Sequence, residues 1–320
     1  MRCFQGDRKM KHGKKCKIDK YTLILIVLLL LLTGLVIAWK LPQKEDRYIH
    51  VGIAVYDRSD TFMESYIREL EDKIGQTKIL GKKVSYEIYD AEGIGSRQEK
   101  QLQEMYAQDY DVMLVNLVEP ASAASVLTDA KDADIPVILF NREIDEKDLK
   151  ISKNVWYVGT DARAAGVMQG ELLKDLWEKQ SKTLDWNGNG MLDYILVEGE
   201  ESHFDAIRRT SGFLETGAEL PLNQKGNILA EWKRELAYEK FAALDDEAVQ
   251  NVEAVICNND DMALGVYDYY KEKNLKLPVI IGINNSEEMH QKIMSGEMYG
   301  TIDNKMEDQV MEICRLMQAI

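Results

Sequence analysis

Polar side chains recur where apolar runs of this sequence end. Asp60-Thr61-Phe62 come just after the run at 48–56, and Asn116 closes the run at 111–116. His203 and Asp205 follow the run at 192–197, with Arg208 and Arg209 a turn further on. Asn258-Asn259-Asp260 and Asn284-Asn285 follow two more such runs. Each alone is an ordinary helix cap or turn residue. Their recurrence in both halves of the chain points instead to one shared polar cleft. A carboxylate only accepts hydrogen bonds and a guanidinium only donates them, so Asp60, Asp205 and Arg209 can fix the direction of ligand hydroxyls. Asp, Asn, His and Arg bounded by aromatic rings suit an uncharged, polyhydroxylated ligand.

A second pattern carries metal chemistry. Asp185-x-Asn187-x-Asn189-Gly190-x-x-Asp193 places oxygen side chains at positions 1, 3, 5 and 9 of an EF-hand-type loop, with glycine at position 6. Met191, at position 7, offers its backbone carbonyl. Position 12 is Leu196, where such a loop has its bidentate glutamate. The competing reading is an Asn-Gly turn before a strand.

No GxxxxGK[ST] or GxGxxG loop follows a strand, and neither a Gly-x-Ser-x-Gly elbow nor a His-Glu-x-x-His pair is present. Nucleotide and hydrolase chemistry therefore lack their usual anchors. The 320 residues hold 40 Lys and Arg against 55 Asp and Glu, a net charge of -15, which argues against nucleic acid as a partner. Four cysteines exclude a disulfide scaffold.

The charge is partitioned. Residues 1–20 hold eight Lys and Arg against Asp7 and Asp19, so the -15 of the chain combines +6 here with -21 downstream. The next nineteen residues, 21–39, carry no charge and would span roughly 28 Å as a helix, close to the hydrocarbon thickness. The sequence predicts a basic cytoplasmic segment (1–20), a transmembrane anchor or uncleaved signal in the lipid bilayer (21–39) and a linker (40–48). The acidic remainder lies on the outer face of the cell membrane. A cleaved signal peptide is the alternative, although no small-x-small site follows the apolar run.

Downstream, strands at 48–56, 84–89, 111–116, 135–140, 154–158, 192–197, 254–257 and 279–283 alternate with helical patterns such as 62–74, 96–107, 121–133, 164–180 and 262–273. Alternation at this pitch predicts an α/β fold: parallel, doubly wound sheets covered on both faces, in two lobes. Ligands of such sheets bind beyond the carboxyl ends of the strands.

The segments VGIAVYDRSDTFM, VMLVNLVEPASA, IPVILFNRE, YVGTD, LDWNGNGMLDYILVEGEESHFDAIRRT, ICNNDDMALG and MSGEMYGTIDN, in this order, resemble the galactose/glucose-binding proteins, sugar receptors of ABC importers within the type I periplasmic-binding-protein family. The resemblance runs from about Val51 to the last residue. It implies a hinged pair of lobes (49–141 plus 305–320, and 142–304), with crossings near Asn141–Arg142 and near Asn304. It implies sugar contacts from Asp60, Phe62, Asn116, His203, Asp205, Arg209, Asn259 and Asn304, and from Trp232 stacking opposite Phe62. Asn284 occupies a position where the family has aspartate, which implies weaker or altered sugar preference. It further implies a structural Ca²⁺ held by Asp185, Asn187, Asn189, Met191 and Asp193, with Glu253 supplying the carboxylate that position 12 lacks.

The function so implied is a monomeric, non-enzymatic receptor that binds D-galactose and/or D-glucose and delivers it to the membrane subunits of an ABC importer. A sensor passing sugar occupancy to a chemoreceptor or kinase would use the same cleft. A glycoside hydrolase would need two flanking carboxylates with one kept protonated. Family members continue several tens of residues past Asn304, so a chain ending at Ile320 is expected to be a fragment or to lack part of both lobes.

Overall fold

Short, continuously apolar strands such as VMLV, VILF and AVIC are what parallel sheets buried on both faces require. A computed structural model describes residues 48–320 together with Lys20, Tyr21, Leu25, Leu29, Leu31 and Thr33. Most of the expected membrane span at 21–39 lies outside the described residues. Among the described residues no helix is long and apolar enough to cross a membrane.

The first sheet contains β1 (Tyr48–Val55), β2 (Lys78–Ile79), β3 (Lys82–Asp90), β4 (Val112–Val115), β5 (Val137–Phe140) and β6 (Val155–Val158), in the order β2-β3-β1-β4-β5-β6. Only the short β2–β3 edge pair is antiparallel. β4 (VMLV) and β5 (VILF) are buried at every position. Helices α1 (Thr61–Gln76), α2 (Gly95–Tyr106) and α3 (Ala123–Asp132) connect these strands. One face of the sheet packs Ile53, Leu114 and Phe140 against Tyr66, Ile67 and Leu70 of α1. The other packs Met113, Val115 and Leu139 against Leu102, Met105 and Leu127 of α2 and α3.

The second sheet contains β7 (Leu192–Glu198), β8 (Leu222–Leu229), β9 (Ala254–Cys257), β10 (Val279–Ile283) and β11 (Gly300–Ile302), all parallel, in the order β11-β10-β9-β7-β8. Helices α4 (Ala162–Leu184), α5 (Phe204–Gly217), α6 (Arg234–Ala242), α7 (Asp246–Gln250), α8 (Asp260–Glu272) and α9 (Glu287–Met294) accompany it. Helix α10 (Met306–Ala319) returns to the first lobe, where Val310, Ile313 and Met317 pack with α1.

The strand orders reverse direction at β1/β4 and at β7/β9. A doubly wound sheet leaves its crevice at such switch points, and the flagged residues Asp60, His203 and Asn259 follow β1, β7 and β9. One expected boundary needs correction. β6 pairs with β5, so the first lobe extends to about residue 158 and does not end at 141. The chain crosses between lobes at 159–161 and at 303–305, and the first crossing is not at Asn141–Arg142. Asn141 has a positive φ of 64°. It bends the chain as it leaves β5, at the start of a connection that returns to β6 in the same sheet.

Candidate functional site

The carboxyl ends of the two sheets enclose a cavity that offers about 40 Å³ to the centres of water-sized molecules. Its walls include Asp60 and Phe62 from the first lobe and His203, Asp205, Arg209, Trp232, Asn259, Asn284 and Asn304 from the second lobe and its crossing. Tyr56, Asp60, Phe62, Arg142, Trp232 and Asn284 also line an adjoining groove of about 1040 Å³ in the same measure, so the cavity continues outward into a wide cleft.

Asp60 caps α1. One of its carboxylate oxygens accepts from the Met63 amide at 2.7 Å, and the Tyr56 hydroxyl hydrogen-bonds to the same carboxylate. Phe62, in the first turn of that helix, rests against Tyr66 with ring centres 6.1 Å apart. Arg142 lies 3.7 Å over the Tyr56 ring and donates to the Val118 carbonyl (2.7 Å) and, across the cleft, to Glu200 (3.1 Å).

The second lobe builds its wall at the start of α5. His203 caps that helix, its Nδ1 accepting from the Asp205 amide at 3.2 Å. A ring nitrogen that accepts carries no proton, so the hydrogen of the neutral imidazole sits on Nε2. Burial, with Arg142 and Arg209 nearby, pushes the His203 pKa down to about 2, which keeps the ring neutral. The 3.5 Å approach of Nδ1 to Asp205 is therefore not an ion pair. Burial raises the Asp205 pKa against the opposing pull of Arg209.

Arg209 reaches the site because α4 and α5 touch backbone to backbone. A Cβ on Gly166 would lie 1.9 Å from the Arg209 carbonyl oxygen, and one on Gly212 would lie 2.2 Å from that of Arg163. The Arg209 guanidinium donates to the Asn258 carbonyl at 2.6 Å. Trp232 follows β8 in a left-handed turn, with φ of 48° at Glu231 and 67° at Trp232. Its indole lies on Gly199, where a Cβ would come within 2.3 Å of the ring. The His203 ring meets it edge-on at 5.2 Å.

Three atoms of this wall, His203 Nε2, Arg209 Nε and Trp232 Nε1, are buried with no hydrogen-bond partner in the protein. Leaving such groups unpaired costs about 1–3 kcal/mol each. All three belong to residues lining the cavity, and a ligand rich in oxygen would satisfy them.

The structure brings together nine of the ten expected contact residues. Asn116 is the exception: fully buried, it accepts from the Tyr56 amide (3.3 Å) and donates to the Phe140 carbonyl (3.0 Å), and it does not line the cavity. It holds Tyr56, which does line it. Asn259 lines the cavity with both ends engaged, capping α8 through the Met262 amide (2.9 Å) and donating to the Trp232 carbonyl (2.9 Å). Sequence reasoning missed Tyr56, Met63, Asn141 and Arg142 as wall residues. The available signal was their place after β1 and β5, the same strand-end rule that found the others.

The loop at 185–193 is organised by its oxygens. Asp185 accepts from the amides of Asn189 (3.0 Å) and Gly190 (2.9 Å), and Glu253 accepts from those of Asn187 (3.2 Å) and Asp193 (2.9 Å). Asp193 accepts from the side-chain amides of Asn187, Asn189 and Asn223. Among the described residues no three His, Cys, Asp or Glu side chains are arranged around a common metal position. The donor types are the hard oxygens a Ca²⁺ ion takes.

Two hinged α/β lobes with a polar, aromatic-walled cavity between their switch points define a solute-binding protein. Residues 51–320 match the model of the periplasmic binding protein domain, and the chain belongs to that family, one of binding proteins and not of enzymes. It is 32% identical over 265 residues to the D-galactose/methyl-galactoside binding periplasmic protein MglB of Haemophilus influenzae, covering 79% of this chain and 76% of that one. It is 26% identical over 248 residues to the galactofuranose-binding protein YtfQ of Escherichia coli, covering 75% and 74%. The solved structure of a Caulobacter myo-inositol binding protein with myo-inositol shares the fold, at a TM-score of 0.72, 22% identity and coverage of 86% and 88%.

Proposed function

We propose that this chain is an extracytoplasmic receptor that binds a hexose, D-galactose and/or D-glucose, and presents it to the membrane subunits of an ABC importer. The observation that carries the reading is the set of three unpartnered polar atoms on His203, Arg209 and Trp232 around one cavity that Phe62 and Asp60 close from the other lobe. The rings of Phe62 and Trp232 would cover the apolar faces of a pyranose. Asp60 and Asp205 would accept from its hydroxyls, and the His203, Arg209 and Trp232 N–H groups would donate to its oxygens. Contacts from both lobes exist together only in the closed form, so the ligand's differential affinity drives closure. The likeness to the D-galactose/methyl-galactoside binding protein supports a hexose, and the apolar segment at 21–39 supports a membrane tether.

The test is calorimetric titration with D-galactose, D-glucose and, for comparison, myo-inositol. One-site binding of a hexose, tighter than that of the cyclitol, is expected; no heat with either hexose would end this reading.

A Ca²⁺ ion belongs to the same proposal. Asp185, Asn187, Asn189, Asp193, Glu253 and the Met191 carbonyl would hold it, and it would brace the loop against β7 and β9. Support comes from the hard-oxygen donor set and from Glu253, fully buried beneath the loop. Melting the protein with Ca²⁺ and then with chelator checks this: the melting temperature is expected to fall on chelation, and an unchanged value speaks against the ion.

A further inference from the structure

Asn284 is a wall residue whose chemistry is ambiguous, because an amide offers an oxygen or an NH₂ group depending on how it is turned. Its backbone is held in an unusual conformation, with φ of 134° followed by 56° at Asn285. Such a value for a non-glycine residue persists only where the surroundings impose it. Here they do: the Asn284 amide donates to the Ile302 carbonyl at 2.8 Å, and the Asn285 amide to the Thr301 hydroxyl at 3.1 Å. What remains to be set is the side chain.

A short relay sets it. Thr160, on the first crossing between the lobes, donates its hydroxyl to Asn304 Oδ1 on the second crossing. Asn304 Nδ2 then donates to Asn284 Oδ1 at 3.3 Å. This leaves the Asn284 Nδ2 group for the cavity, so the wall presents a donor at that point. Had the Thr160 hydroxyl accepted instead, both amides would turn over and Asn284 would present an acceptor. Thr160 itself does not line the cavity.

We propose that Thr160 is a positioning residue that, through Asn304, fixes Asn284 as a hydrogen-bond donor to the ligand. The contacted ligand oxygen then needs only to accept. The relay also ties that contact to both chain crossings, so hinge geometry and the polarity of the wall are set together. This rests on the hexose reading above and adds to it the direction of one contact.

Monodeoxyfluoro derivatives of the bound hexose test it, because fluorine can accept weakly but never donate. Calorimetry compares each derivative with its parent sugar in wild type, Asn284→Asp, Thr160→Val and Thr160→Ser, each checked for a cooperative melt. At one ring position the wild type is expected to tolerate fluorine within about fivefold. Asn284→Asp, which can only accept there, is expected to lose at least tenfold more for that derivative than for the parent. Thr160→Val is expected to fall between the two, with parent affinity changed less than about threefold, and Thr160→Ser to restore the wild-type ratio. Fluorine ratios that Asn284→Asp leaves unchanged at every position would overturn the proposal. So would a Thr160→Val variant that weakens all derivatives and the parent equally, the mark of a merely structural residue. A wild type that binds no hexose at all would overturn the underlying reading as well.

Discussion

The two walls of the cavity differ in what they leave unsatisfied. In the first lobe, Arg142 is committed to Tyr56, Val118 and Glu200, and Asp60 gives half of its carboxylate to a helix cap. In the second lobe, His203, Arg209 and Trp232 each keep a buried N–H without a partner. The first lobe is therefore close to complete without ligand, whereas the second lobe carries a standing deficit. The difference teaches that the second lobe supplies most of the directional recognition, and that the first closes over it with Phe62 and one carboxylate.

Substitutions sharpen this asymmetry. Arg209→Ala should have the largest effect on affinity, about 100-fold or more by calorimetry. It removes charge-assisted hydrogen bonds of about 1.5–3 kcal/mol each and leaves Asp205 buried without its countercharge. Each factor of ten corresponds to about 1.4 kcal/mol. Trp232→Ala should cost roughly 10- to 100-fold, through lost stacking and the lost indole N–H, and Trp232→Phe should recover most of the stacking share. Phe62→Ala, which removes a ring but no directional contact, should cost about tenfold. Equal losses from Phe62→Ala and Arg209→Ala would break the comparison.

A smaller effect comes from pH. The folded-state pKa of His203, about 2, lies far below the ordinary imidazole value near 6.5, so below pH 6.5 the unfolded chain binds a proton that the folded one refuses. Stability from this group is fully present above about pH 6.5. It falls on acidification, by up to roughly 1.4 kcal/mol per pH unit. Asp261, raised to about 6 by burial, has the opposite sign: its folded form holds a proton that the unfolded chain releases, so it contributes relatively more as the pH falls from 6 toward 4. The difference in melting temperature between wild type and His203→Gln isolates the histidine. That difference should move in favour of the variant between pH 6.5 and 4.5, and a constant difference would contradict a buried neutral ring.

Much of this arrangement was legible in the sequence for a simple reason. Buried parallel strands such as VMLV, VILF and AVIC are continuous apolar runs, so the first polar residue after each run marks a carboxyl edge. What failed was what apolar patterning does not encode. β8 (LNQKGNIL) is an edge strand with polar residues along it, and no apolar run announces it. The resemblance implies a first crossing near Asn141–Arg142, but β6, only four residues long, pairs with β5 and keeps the chain in the first lobe to about residue 158. Asn116 has the same sequence context as its neighbours in the site, but its side chain turns inward to two backbone groups. Tyr56 and Arg142 also follow strand ends, but that they reach the cavity as a stacked pair depends on a contact between residues far apart in the chain, which the strand-end rule does not encode.

The account stands on a ligand held between the two lobes, against an indole on one side and a phenyl ring on the other. Titrating wild type and Trp232→Ala side by side with D-galactose and D-glucose tests it most directly. A single site for at least one hexose, weakened tenfold or more in a variant that still melts cooperatively, is the predicted result. Equal affinity in the two proteins, or no hexose binding by the wild type, would contradict it.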